Sequence, residues 1–179
     1  MTDPILLGIS GSLRRASTNR LLLAEARRLF GPATHIEGDL RFPLYDGDLE
    51  TAQGIPLVVQ TLADQIKAAD AIVIATPEYN KALPGVLKNA LDWVSRVPGG
   101  VWRDKPVAII SAAGGRAGGE RSQFSLHLCL TPFRARVLPG PEVMVANSGE
   151  AFSDSGQLKD PLTVKGLTEL MTLLRSEVR

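Results

Sequence analysis

A chain of 179 residues, 44% hydrophobic and 22% charged, is long enough to bury one sizeable core and short enough to leave little room for a second. A formal net charge of +1 excludes a strong field for nucleic acid or an anionic membrane. One cysteine, Cys129, and two histidines, His35 and His127, exclude an intrachain disulfide framework and offer no metal-ligand spacing.

The first element is an apolar run without alternation, residues 5–9, which reads as a strand buried on both faces of a sheet. Around it there is no basic segment, long apolar segment or small-residue cleavage site of a signal peptide, and nowhere does an apolar run reach membrane-spanning length. A cytoplasmic single domain over residues 1–179 is the expectation, with no membrane or nucleic-acid partner.

The strand runs into Gly8-Ile9-Ser10-Gly11-Ser12-Leu13-Arg14-Arg15-Ala16-Ser17-Thr18-Asn19, and helical spacing follows over 18–30. Glycine lets main-chain amides converge on an anion. A helix N-terminus adds unpaired N–H groups, and Ser and Thr hydroxyls donate further bonds to phosphate oxygens. Ser17 alone reads as a helix cap and Gly11 alone as a turn; together, after the first strand, they predict a phosphate cradle with Ser10, Ser12, Ser17 and Asn19 as contacts. Arg15 is favoured over Arg14 as the neighbouring cation. No G-x-x-x-x-G-K-[ST] loop is present, and the third glycine of G-x-G-x-x-G is missing. Glu37 or Asp39 on a weaker edge strand, residues 34–40, keeps a nicotinamide-binding dinucleotide fold as a minor alternative.

Past the turn-rich Tyr45-Asp46-Gly47-Asp48 come a helix over 55–68, a buried strand over 71–75 and a helix over 84–97. Pro84 suits the first helical position. Leu87, Leu91 and Val94 then share one face, and Lys88 and Asp92 pair on the other. A strand over 107–111 leads into Ala112-Ala113-Gly114-Gly115-Arg116-Ala117-Gly118-Gly119, where glycines permit close approach of main chain to a flat ligand. A helix over 121–131, a strand over 143–146 and a helix over 162–175 complete the chain. Cys129 falls in an apolar helical stretch and reads as a structural cysteine. Such alternation predicts an α/β three-layer sandwich with a five-stranded parallel sheet and its crevice at the strands' carboxyl ends.

Between the 71–75 strand and the next helix stands Pro77-Glu78-Tyr79-Asn80-Lys81-Ala82-Leu83-Pro84-Gly85-Val86-Leu87-Lys88-Asn89-Ala90-Leu91-Asp92-Trp93. It resembles the P-E-Y-N-x-x-x-P-G-x-L-K-N-x-x-D-W signature of NADPH-dependent FMN reductases, a family that includes quinone, chromate and azo-dye reductases. Gly11-Ser12-Leu13-Arg14, Ser17 and Asn19 resemble the same family's phosphate loop. Pro139-Gly140-Pro141-Glu142-Val143 and Phe152-Ser153-Asp154-Ser155-Gly156 resemble its last strand and downstream loop.

The resemblance implies a flavodoxin-like fold of strand order 2-1-3-4-5 that binds FMN. Electrons would pass from NADPH or NADH to a quinone or similar small acceptor by a ping-pong sequence with no catalytic side chain. Pro77, Glu78, Tyr79 and Asn80 would wrap the isoalloxazine ring, and Ser111, Ala113, Gly114 and Gly115 would line its polar edge. Arg116 would reach a flavin carbonyl or the nicotinamide cofactor's phosphate; read by itself, it is equally a solvated loop arginine. Lys81 and Ala82 depart from the small or hydroxyl residues common there. A flavodoxin-type electron carrier and a reductase releasing free reduced FMN are the alternatives. Family members commonly form dimers or tetramers, and Trp93 and Trp102, flanking Val97-Pro98-Gly99-Gly100, read either as core or, as favoured here, as an interface for a homodimer or homotetramer.

Overall fold

The structure, a computed structural model, describes residues 3–178. Four strands, β1 (Ile5–Ser10), β2 (Thr34–Gly38), β3 (Ala71–Thr76) and β4 (Pro106–Ala112), pair in parallel in the order β2-β1-β3-β4. Gly8 stands opposite Glu37 on one side and Val73 on the other, and Ile74 stands opposite Ile109.

The outer edge of β4 carries two short strands. β5 (Arg136–Val137) pairs with Pro106 and Val107, and β6 (Val143–Val145) pairs with Ile110 to Ala112. The Leu138 N–H still donates to Val107 O at 2.9 Å; residues 139–142 then leave the ladder, as expected of a segment holding Pro139 and Pro141, which have no N–H to donate. The order 2-1-3-4-5 is therefore present with a sixth strand, because the last strand is delivered in two pieces.

Successive strand residues face opposite layers. Leu7, Ile9, Ile72, Ile74, Val107 and Ile109 point to α3 (Leu57–Ala68), α4 (Gly85–Val94) and α5 (Glu120–Leu130), where they meet Leu62, Ile66, Leu87, Leu91 and Trp93. Leu6, Val73, Ala75, Ala108 and Ile110 point to α1 (Thr18–Phe30) and α6 (Pro161–Ser176), where they meet Leu22, Ala26, Leu167 and Met171. Four alanines, Ala71, Ala75, Ala108 and Ala112, stand on this second face, where small side chains leave room for α1 and α6. Each fully buried large aliphatic side chain contributes about 1.5–3 kcal/mol, so both layers are held firmly.

The remaining helix, α2 (Gly47–Gln53), buries no residue fully and rests on the first layer through the half-buried Leu49. It lies where the sequence shows only turn signals. Asp46 caps it by accepting from the Asp48 N–H at 2.8 Å, and Tyr45 anchors it by donating its N–H to Asn89 Oδ1 and its hydroxyl to Glu50. Trp93 and Trp102 are 0% and 3% exposed, which corrects the expectation that they mark an interface. The Trp93 ring fills the core edge to face with Tyr45, and its indole N–H donates to Pro43 O at 2.9 Å. Cys129 is half-buried. Among the described residues, no helix is long and apolar enough to cross a membrane.

Candidate functional site

Loops leaving β1, β3, β4 and β6 converge on a cleft of about 300 Å³ at the carboxyl ends of the strands. Ser12, Arg14 and Ser17 form one end. Pro77, Glu78 and Tyr79 form a wall, and Ala113, Gly114, Ser148 and Gly149 form the other side.

In the first loop Ser17 caps α1, its Oγ accepting from the Asn19 N–H at 3.2 Å. The Ser12 Oγ lies 3.4 Å from the Arg14 N–H as an acceptor. Both hydroxyls keep their own proton free to donate into the cleft. Among the described residues, nothing accepts from the main-chain N–H of Arg15, Ala16 or Thr18. The first turn of α1 also holds no acidic residue to neutralise its partial positive charge, so the helix start is poised for an anion. Gly11 keeps the loops together: a Cβ there would come within 3.0 Å of both Pro77 and Pro84.

The other predicted contacts of this loop do different work. The Ser10 hydroxyl is closed onto the Ser12 main chain, donating to its carbonyl and accepting from its N–H. Asn19 is 2% exposed, and its amide brackets Ala112, donating to the carbonyl at 2.8 Å and accepting from the N–H at 3.0 Å. It therefore ties α1 to β4 while bordering the cleft, with one N–H of its amide left to donate. Arg15 and Arg14 exchange places. The Ser17 N–H bonds to Arg14 O at 3.2 Å, which puts Arg15 at the exposed corner of the turn and leaves Arg14 in the cleft wall.

In the second loop Pro77 is buried and Tyr79 is 48% exposed over the cleft. Tyr79 and Ala82 exchange main-chain hydrogen bonds of 3.1 Å around Asn80 and Lys81, which have φ of 50° and 70°. Two successive positive φ values make the reversed hairpin turn that favours Asn followed by Gly. Asn80 stands at that corner, outside the cleft lining. Farther along the same motif, Asn89 Nδ2 donates to Pro43 O at 3.0 Å, the carbonyl that also takes the Trp93 N–H. That half of the motif holds the segment before α2.

The third loop separates its glycines by role. Gly118 and Gly119 have φ of 61° and 98°, and a Cβ would fall 2.6 Å from the Met144 carbonyl carbon and 2.8 Å from the Ser111 Cβ. The fold itself demands glycine there. At Gly114 and Gly115 a Cβ would meet nothing within 4 Å, so the protein's own packing does not require glycine there, and of the two Gly114 borders the cleft. Ser111 is fully buried, donating to Gly118 O and accepting from Gln123, so it supports the loop from beneath instead of facing the cleft. Gly115 and Arg116 are exposed and outside the lining.

Ser148 is the residue that sequence reasoning missed. It is buried, accepts from the Thr18 hydroxyl at 3.2 Å, and borders the cleft with Gly149. Its place immediately after the 143–146 strand was the available signal, since ligands in such sheets gather at strand ends.

One end of the cleft is built for a phosphate, and the other is flat, wide and floored by main chain. That donor set fits FMN, with Ser12, Ser17 and the start of α1 toward the phosphate and Tyr79, Ala113 and Gly114 toward the ring. Among the described residues, no group of three His, Cys, Asp or Glu side chains is placed to hold a metal ion. The sequence matches the family described as NADPH-dependent FMN reductase over residues 4–150. It is 42% identical to an NAD(P)H-dependent FMN reductase of Pseudomonas aeruginosa, the alignment covering 100% of this chain and 98% of the relative. It is 38% identical to a quinone reductase of Escherichia coli, covering 90% and 88%. Among solved structures, the flavoenzyme NAD(P)H:(acceptor) oxidoreductase FerB of Paracoccus denitrificans superposes with a TM-score of 0.87 at 29% identity over 98% of this chain and 97% of that one.

Proposed function

This chain belongs to the NADPH-dependent FMN reductase family and is an FMN-dependent NAD(P)H oxidoreductase acting on quinones, and we propose that it works by a ping-pong sequence in which NAD(P)H and acceptor use one face of the cleft in turn. The observation that carries this reading is the opening of α1, with its free N–H groups, onto the same cleft as Tyr79 and Gly114.

When bound, FMN supplies the redox chemistry, taking a hydride from NAD(P)H and giving electrons to a quinone or similar small acceptor. The chain's part is to hold, orient and exclude water. Ser12 and Ser17 would donate to the phosphate, Arg14 would add positive charge beside it, and Pro77 and Tyr79 would wall the ring. Ala113 and Gly114 would meet it with main chain. No side chain is assigned proton transfer.

Self-association as a homodimer or homotetramer would cover the cleft. Phe124 and Leu128, 53% and 74% exposed, follow each other at one-turn spacing on α5, and the same helix touches the second loop where Leu83 N–H donates to Ser125 Oγ at 2.8 Å. The chain acts as one domain in the cytoplasm. An absorbance spectrum with added FMN, recorded before and after anaerobic NADPH, tests the reading. A bound flavin that bleaches supports it; FMN that binds and does not bleach favours an electron carrier, and failure to bind FMN overturns it.

A further inference from the structure

We propose that a second cavity, remote from the flavin cleft, binds a small aromatic carboxylate. The cavity measures about 650 Å³, within the range of small-molecule sites. It shares no lining residue with the cleft described above. Its apolar wall includes Leu91, Val94, Val101, Trp102 and Phe133, and its rim carries Arg103 and Arg134.

Three independent observations define the ligand. The first is charge. Lys88, also at the rim, is spent on Asp92 through contacts of 2.6 and 2.8 Å, whereas among the described residues neither Arg103 nor Arg134 has a carboxylate partner. A cavity with two uncommitted guanidiniums at its mouth selects an anion, and a carboxylate matches their planar fork. The second is shape. Trp102 and Phe133 present rings whose centroids lie 6.3 Å apart, tilted by 59°, surfaces that suit an aromatic body.

The third is the state of the protein around the cavity. The Trp102 indole N–H is buried with no acceptor, an uncompensated polar group in the wall of the cavity. Asp104 and Arg134 hold φ of 60° and 58°. The other non-glycine residues with positive φ among those described are Asn80, Lys81 and Asn147, all in the loops of the flavin cleft. Arg134 closes the short helical turn Thr131–Phe133, which holds Phe133 and Arg134 together at the cavity. The two sites share α5, which is capped from the cleft at Arg121 and reaches the cavity at Cys129.

The test uses nitrogen-15-labelled, FMN-loaded protein titrated with 2-naphthoate. The chain has two tryptophans, so two indole resonances are seen, assigned with Trp102→Phe. The Trp102 indole resonance is expected to move saturably, while that of Trp93, held by Pro43, stays and the flavin absorbance is unchanged. Arg103→Ala combined with Arg134→Asn, chosen because Asn tolerates positive φ, is expected to weaken binding about tenfold or more, as loss of a charge-assisted bond does. The neutral 2-naphthylmethanol is expected to bind correspondingly less well. A Trp102 resonance unmoved at the solubility limit overturns the proposal, as does a double variant that binds as tightly as the parent. A response of the flavin absorbance in place of the indole also overturns it. FMN loading is recorded before the titration, so these outcomes leave the flavin reading untouched.

Discussion

The Glu78 carboxylate crosses from the loop after β3 to accept the main-chain N–H of Arg121 at 3.1 Å, capping α5 in place of Gly119, the N-cap residue, which has no side chain to do so. A residue expected only to wrap a ligand thus also begins a helix. Glu78→Ala is expected to lower the unfolding free energy by roughly 0.5–2 kcal/mol, the usual worth of a cap, and to weaken FMN binding because the second and third loops lose their shared strut. Glu78→Gln, which keeps an acceptor, should recover most of the stability in denaturant titration. Equal loss in both variants would refute the capping role.

Asn19 and Ser17 carry fold and site in different proportions. Asn19→Ala strands a buried N–H and a buried carbonyl on Ala112, a loss of about 2–3 kcal/mol. Ser17→Ala removes a cap and a phosphate donor together, so its stability cost of about 1 kcal/mol should come with weaker FMN binding. Denaturation midpoints and FMN titrations on the two variants would show whether the two effects divide in this way.

The glycines of the third loop divide similarly. Gly118→Ala and Gly119→Ala force a Cβ into main chain or into Ser111 at positive φ, and each is expected to cost more than about 1–2 kcal/mol. Gly114→Ala meets no protein atom within 4 Å. Its FMN-free form should melt like the parent while its FMN affinity falls. An unchanged affinity would show that no ring passes there.

Lys81 holds a φ of 70° in the hairpin turn, where a side chain costs about 1–2 kcal/mol relative to glycine. Lys81→Gly should raise the thermal midpoint by roughly 2–4 °C, less a small entropic loss from the unfolded chain. Differential scanning calorimetry is sufficient to see it.

Asp160 caps α6, accepting from the Thr163 hydroxyl at 2.6 Å and from the main-chain N–H groups of Thr163 and Leu162. The hydroxyl bond first, and then those from the main chain, hold its carboxyl below the usual range. A carboxyl lowered by folding adds stability above its unfolded value, about 3.9, and loses it as pH falls through the lower folded value. Asp160→Asn, itself a competent cap, should therefore flatten the decline of the thermal midpoint below about pH 4. A decline as steep as the parent's would assign the acid sensitivity elsewhere.

How much of this was readable in the sequence follows from what each signal depends on. β1, β3 and β4 are uninterrupted apolar runs, and α1 begins at a hydroxyl cap and ends before Gly31, so both announce themselves locally. β5 is two residues, one of them Arg136, and gains its identity only from pairing with Pro106 and Val107. α2 has 7 residues and none fully buried, too short an element for a helical period to be detected. The cleft's loops were found because glycines and hydroxyls cluster after strands. The division of labour within them was not, since Ser10 and Ser111 spend their hydroxyl protons on partners fixed only by the folded chain. Ser12 and Ser17 differ from these two in only accepting within the protein, a property of geometry and not of residue type.

The broken strand at the border of the sheet has a further consequence, for how the molecule fares in a crowded solution. A continuous outer strand offers a long row of free N–H and carbonyl groups to any passing extended chain. Here that row is cut into lengths of two and three residues, with Pro139 and Pro141 in the gap. A foreign strand could find register over one piece only to lose it at the next. The irregularity guards against fibril growth along that border, and a variant with 138–142 shortened to a continuous strand should scatter light sooner on heating.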